Sequence, residues 1–348
     1  MDAAVVAGVA VAVAAGVADA LNPNSNPSIT EALMRYPKST ILSSQVLLGG
    51  AALMLSVVVA SPLSFAANRP RQAEYPSAQQ AVEALMSAVK TGDVRKIVDV
   101  LGPEGRELAS SGDPVADAAA RERFTNAYDE AHQIKQGDTR ATLVIGKDDF
   151  PFPIPLVAAN GVWRFDTAEG VEEILDRRIG ENEISAIEVL RAAVDAEREY
   201  AEADRDGKGV QYARRLLSSD GTYDGLYWPT EDGERESPLG PLVGYAQAQG
   251  YTARQGRPTP YHGYIFRVLT AQGPDAKGGA RDYIVNGRMI GGFALVASPA
   301  EYGNSGVMTF IVNHDGDVYQ RDLGPNTARI AAAMRAYDPD ASWREVSR

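Results

Sequence analysis

The sequence predicts an α+β protein built as two domains: helices followed by a small antiparallel sheet over residues 77–180, and one long helix laid on a second antiparallel sheet over residues 181–348. Three observations predict it. Apolar residues recur at helical spacing from Ala81 to Val89, the pattern then turns to short runs around Asn160-Gly161, and the same change from long helix to short strands repeats after Glu181. With 348 residues and 45% hydrophobic content, the chain can fill two cores.

Ahead of the folded part, residues 1–21 and 41–60 are apolar and residues 22–28 are rich in Pro, Asn and Ser. From Met34 the chain reads as a secretory signal: Arg35 and Lys38 supply the positive start, residues 41–60 the apolar core, and Ser64-Phe65-Ala66 the small-x-small cleavage pattern. Residues 34–66 are therefore expected to be removed, leaving Ala67 at the mature terminus. Residues 1–33 carry Asp2 and Asp19 among small side chains and read as translation from an upstream start. The competing reading is a pair of membrane helices, since residues 41–60 reach the roughly 20 residues a span requires. Gly49-Gly50, Ser61-Pro62 and the cleavage pattern favour the signal.

Residues 67–76 are expected to be a flexible lead-in. Ser77 then suits the N-cap of a helix with Ala81, Val82, Leu85, Met86 and Val89 on one face, ended by Gly92-Asp93. A short helix to Leu101 follows, and Asp113-Pro114 opens a third, with Asp as cap and Pro at the first helical position, expected to run to about Gly137 and to carry His132. Residues 141–145 and 162–165 are strand-like, and Asn160-Gly161 after Leu156-Val157 marks a hairpin. A helix starts at Thr167. From Glu181 a long helix is expected to about Asp204, with Ile184, Ile187, Leu190, Val194 and Ala201 at helical spacing. A shorter helix (210–217), a Gly/Pro/acid-rich stretch to Pro241, strands over 264–269, 293–296, 307–312 and 318–320, a hairpin at Asp315-Gly316, a helix near 328–335 and a tail with Trp343 complete the chain.

Composition narrows function. A formal charge of −12 excludes sequence-independent nucleic-acid binding, which needs a basic face, and disfavours anionic membranes once the leader is gone. The absence of cysteine removes thiol nucleophiles, disulfides, cysteine zinc sites and lipoprotein acylation.

Three resemblances follow from longer patterns. The first half, through "VEALMSAVKTGD" and "NGVWRFDTAEG", resembles nuclear-transport-factor-2-like cone folds in shape. The second, through "NEISAIEVLRAAVDAEREYA" and "GVMTFIVNHDGDVYQRD", resembles the globular part of type IV pilins and pseudopilins, without their apolar N-terminal half-helix. Across residues 75–346, "VIGKDDFPFPIPLV", "DGLYWP", "PTPYHGYIFRVLTAQG" and "YIVNGRMIGGFALVASPAEYGNSGVMTFIVNHDGDVYQRDLG" resemble the bacterial family called domain of unknown function 2950. That resemblance implies an exported protein of Gram-negative bacteria and supplies no catalytic residue.

Motif by motif, the residues favour plain readings over sharp ones. Asp204 and Asp206, in 204–209, are the nearest approach to a calcium loop, but Lys208 and Arg215 stand where an EF-hand needs oxygen ligands, so a polar turn is preferred and no cofactor is expected. His262 and His314, with Asp315, are candidates for a metal site or a base with its orienting carboxylate; no pair has the i, i+4 spacing of a helical metal site. Ser298 and Ser305 lack the Gly-x-Ser-x-Gly elbow, and the acid pairs Asp148-Asp149 and Asp338-x-Asp340 lie in turns. Tyr227, Trp228, Tyr261, His262 and Tyr264 concentrate aromatic surface suited to ligand binding, with Tyr223 nearby; Phe266 is expected in the core and Tyr261 or Trp228 at the surface. The reading is an exported periplasmic or envelope protein, a non-enzymatic binding or assembly factor with an envelope protein or polymer as partner. A hydrolase or metal-dependent enzyme using His262, His314 and Asp315, and a pilus or secretion-system accessory component, are the alternatives.

Overall fold

A computed structural model describes residues 72–205, 207–230, 236–252 and 259–347, so the leader, residues 67–71 of the lead-in and Asp206 lie outside the described residues. Among the described residues the chain is α+β, with seven α-helices and two five-stranded antiparallel sheets. From Ala66 to Arg348 it forms one compact unit.

Helix α1 (Ala78–Thr91) starts where Ser77 accepts a hydrogen bond from Gln80 N at 3.2 Å, and ends at Gly92 in the left-handed region. Asp93 caps α2 (Val94–Leu101) in the same way. A one-turn helix, α3 (Gly105–Ala109), escaped the sequence reading. Asp113 caps α4 (Pro114–Glu130), which stops seven residues short of Gly137 because the next residues pair instead: β1 (His132–Gln136) runs antiparallel to β2 (Arg140–Ile145), with Ile134 opposite Leu143. His132 therefore begins a strand, its ring stacked on Tyr128. β3 (Phe150–Pro151) adds to β2, and β4 (Leu156–Ala159) and β5 (Val162–Phe165) form the hairpin at Asn160-Gly161, both with positive φ as a type I′ turn requires. The lead-in is pinned in part: Tyr75 exchanges two backbone hydrogen bonds with Trp163, and Gln72 Nε2 donates to Val100 O and Phe165 O. Leu85, Leu143, Ile154, Leu156 and Phe165 form the core of this half.

The two helices expected from Thr167 and Glu181 are one, α5 (Thr167–Tyr200), 34 residues long. Gly180 does not break it, since one glycine costs only about 1 kcal/mol and both ends of the helix are packed. Its first turns join the first core through Ile174. Its later turns lay Ala186, Leu190, Ala193 and Val194 on a second core, against β11 (Ala294–Pro299) and β12 (Met308–Asn313). That sheet has the order β15-β13-β12-β11-β6, with β6 (Tyr264–Leu269), β13 (Val318–Asp322) and β15 (Arg344–Glu345). Between β6 and β11 come β7 (Ala271–Gln272), β8 (Arg281–Asp282) and a second Asn-Gly hairpin, β9 (Ile284–Val285) with β10 (Arg288–Met289). Helix α7 (Thr327–Ala333) stands where expected, and β14 (Ala336–Tyr337) pairs with β7.

Two expectations fail in the middle. Residues 210–217 are irregular because their backbone bonds run elsewhere: Tyr212 N donates to Met289 O, while Arg215 O and Leu216 O accept from Leu226 N and Tyr227 N. The second is an omission: α6 (Gly240–Ala248) begins where the Gly/Pro/acid-rich stretch to Pro241 ends, in residues to which the sequence reading assigns no element. Its signal was present, for Leu239, Leu242, Val243 and Ala246 follow i, i+3, i+4, i+7 with Pro241 at the start.

Candidate functional site

Helix α6 and the later half of α5 stand either side of an apolar cleft of about 250 Å³. Val189 and Ala193 of α5, Leu242, Val243 and Ala246 of α6, and Phe266 of β6 line it, with Leu216, Leu217 and Leu295 at its base. Phe266 is thus half-buried, facing the cleft as well as the core.

The cleft ends at a polar cluster whose groups are already spoken for. Asp113, 1% exposed, accepts from Val115 N and Ala116 N through Oδ1 as the cap of α4, and from Tyr251 OH at 3.0 Å and Gly263 N at 2.9 Å through Oδ2. Tyr251 OH in turn accepts from His262 N at 3.3 Å. Burial, then the Asp113 carboxylate, raises the Tyr251 pKa, so its hydroxyl stays a donor. Burial lowers the His262 pKa; the Asp113 charge opposes this and Arg123 adds to it. His262 holds a left-handed backbone, φ 47°, which seats its ring edge-on to Tyr261 at 4.4 Å.

His262 and His314 do not meet. Tyr264, just after His262, pairs with Pro299, whereas Asn313, just before His314, pairs with Ala294 and through it Leu269 at the other end of β6. Five residues of strand at about 3.3 Å each place them roughly 17 Å apart. Nor does Asp315 orient His314. Arg281 Nη2 lies 3.0 Å from His314 Nε2, and because a guanidinium only donates, Nε2 is the acceptor and the proton sits on Nδ1. Asp315 Oδ1 approaches that same Nε2 at 3.8 Å, while Nδ1 is buried without a partner. Burial lowers the His314 pKa first, with Arg281 also lowering it and Asp315 opposing.

The aromatic candidates divide. Tyr264 is fully buried and donates to Met308 O, and Trp228, 5% exposed, packs on Tyr200 and Tyr223, so both are core. Tyr227 is half-buried against the small third cluster around Leu226 and Leu239. Tyr261 lines the cleft. Asp204 is exposed, and Arg205 next to it caps α5 by donating to Tyr200 O and Glu199 O. Among the described residues, no three His, Asp or Glu side chains are grouped to hold a metal ion. Ser305 Oγ is tied to Glu301; Asp340 accepts from Ser342 N of its own turn, whereas Asp338 accepts from Asp275 N in the loop after β7.

Groups the sequence left unmarked tie α5 to the segments around it. Arg178 donates to Glu107 O, Leu108 O and Asn304 Oδ1 at 2.6–2.9 Å, and Asn182 Nδ2 donates to Ser305 O at 2.8 Å. Glu197 is wholly buried; its Oε2 accepts from Ala213 N at 2.8 Å while Oε1 has no partner, and burial raises its pKa well above the ordinary carboxylate value. Helical spacing alone distinguishes none of these from solvated charges.

No curated protein matches the chain, and no solved structure does. No helix among the described residues is long and apolar enough to cross a membrane. A family model does match, over residues 72–346, and the chain belongs to that family, described as Protein of unknown function (DUF2950).

Proposed function

We propose that this protein is exported and acts in the cell envelope as a non-enzymatic binding or assembly factor, holding an apolar group of its partner in the cleft between α5 and α6. One observation carries the reading: the cleft presents Leu, Val, Ala and Phe surface, while the carboxylate and hydroxyl at its end are consumed by internal hydrogen bonds. It therefore offers apolar area to cover, with the Asp113 carboxylate and the Tyr251 hydroxyl at its end already committed. Covering one Leu-sized group is worth about 1.5–3 kcal/mol, enough to anchor a partner that makes further contacts elsewhere. The layer of α5 on its sheet supports a pilin-like shape for residues 181–348, and export rests on the signal pattern in residues 34–66.

Two measurements test this. The uncharged dye Nile red should bind saturably with a rise in emission, and Ala246→Trp, which fills the cleft from α6, should abolish the rise; undiminished binding in the variant would dismiss the cleft. N-terminal sequencing of protein from its native cell should begin at Ala67, and an uncut leader on a cytosolic product would remove the envelope from the proposal.

A further inference from the structure

A second cavity, of about 220 Å³, shares no lining residue with the apolar cleft. Its walls come from the irregular segment after α5 (Lys208, Gln211, Tyr212, Arg214, Arg215), from Asp224 and Thr270, and from Gly287 in the β9–β10 turn. Its charge runs against that of the chain. Overall the protein carries −12, yet among the described residues three cationic side chains and one carboxylate line this cavity.

That carboxylate is not free to hold a cation. Asp224 Oδ1 accepts from Ser219 N at 2.7 Å and Thr222 Oγ1 at 2.8 Å, and Oδ2 accepts from Ser219 Oγ at 3.1 Å with Arg215 Nε 3.5 Å away. Arg215 is thereby partly neutralised, and Arg214 is not: among the described residues it makes no hydrogen bond or ion pair. One neighbour adds to the positive field. Arg288, beside Gly287, donates to Val210 O through Nη2 and keeps a buried Nε–H without a partner.

We propose that this cavity binds a small tetrahedral oxyanion, phosphate or the phosphate group of a small ester, with Arg214 as its main ion-pair partner. The guanidinium fork of Arg214 and the hydroxyl of Thr270 supply donors in several directions, which suits the several acceptors of a tetrahedral anion better than the two of a planar carboxylate. The volume admits a small molecule and no polymer. The site is independent of the cleft, so either can fail alone.

The test is calorimetric titration, at low ionic strength, of protein purified from cells expressing the full chain, with inorganic phosphate and phenyl phosphate as separate probes and sodium chloride as the control. Saturable binding of at least one phosphate probe is expected, weakened at least about tenfold in Arg214→Ala, weakened also in Lys208→Ala, and unchanged in Arg95→Ala, an exposed cation on α2. Free anion and ester are separated by which probe binds more tightly. Arg214 is exposed and unpartnered, so its variant should melt with the wild type. Heats no larger than those of chloride, or phosphate binding equal in wild type and Arg214→Ala, would overturn the assignment.

Discussion

Replacing Asp113 with Ala tests whether one capping residue also fastens the two halves of the chain. The carboxylate serves four donors, two in the first turn of α4 and two, Tyr251 OH and Gly263 N, that lie 138 and 150 residues away. Loss of the cap costs about 1 kcal/mol. Leaving Tyr251 OH and Gly263 N–H buried without an acceptor adds about 1–3 kcal/mol each, so the total is roughly 3–7 kcal/mol. Against a typical stability of about 5–15 kcal/mol, and at about 2–4 °C per kcal/mol in a body of this size, the melting temperature should fall by roughly 6–28 °C. Differential scanning calorimetry reads it. Asp113→Asn keeps an oxygen for the cap but turns an amide N–H toward the Gly263 N–H, and should fall between. Tyr251→Phe should cost more in wild type than in Asp113→Ala, because the acceptor of its hydroxyl is already gone there, while the bond it accepts from His262 N is lost in both. A loss of about 1 kcal/mol in Asp113→Ala, with Tyr251→Phe fully additive, would show that only the cap mattered and refute the clamp.

Three further expectations concern α5. The Glu197 carboxyl is pushed up by burial, so the folded chain holds a proton that the unfolded chain releases; its stabilising share is complete below the ordinary carboxylate pKa and declines as pH rises through the folded value. The stability advantage of Glu197→Gln over wild type should therefore widen from pH 4.5 towards neutrality in urea unfolding, and a gap independent of pH would contradict it. Gly170→Ala would bring a Cβ to 2.4 Å from Pro153 O, a backbone atom, and should lower the melting temperature, whereas Gly180→Ala on the same helix meets nothing within 4 Å and should gain about 1 kcal/mol from helix propensity. Arg178→Ala removes three hydrogen bonds that join α5 to α3 and to the loop before β12, and chemical denaturation should show a loss of about 2–4 kcal/mol; a change below about 0.5 kcal/mol would place the side chain outside the stabilising contacts.

The elements legible in the sequence were those specified by their own neighbours. Ser77, Asp93 and Asp113 act on N–H groups two or three residues on, and Asn160-Gly161 closes a turn between adjacent strands, so the α+β class, the helix starts and the hairpin follow from short-range chemistry. Residues 132–136 and 210–217 are expected to be helical as well, but their hydrogen-bond partners lie in β2, at Met289 and at residues 226–227, and those partners prevail. The same reason governs the sites. His262 and His314 look related in the sequence, yet sheet register places them at opposite ends of β6. Asp113 looks like a cap, and only the fold delivers Tyr251 and Gly263 to its second oxygen. Local signals fix where an element begins, whereas a cleft or a charged cavity is assembled from residues far apart along the chain, whose meeting is set by packing between elements.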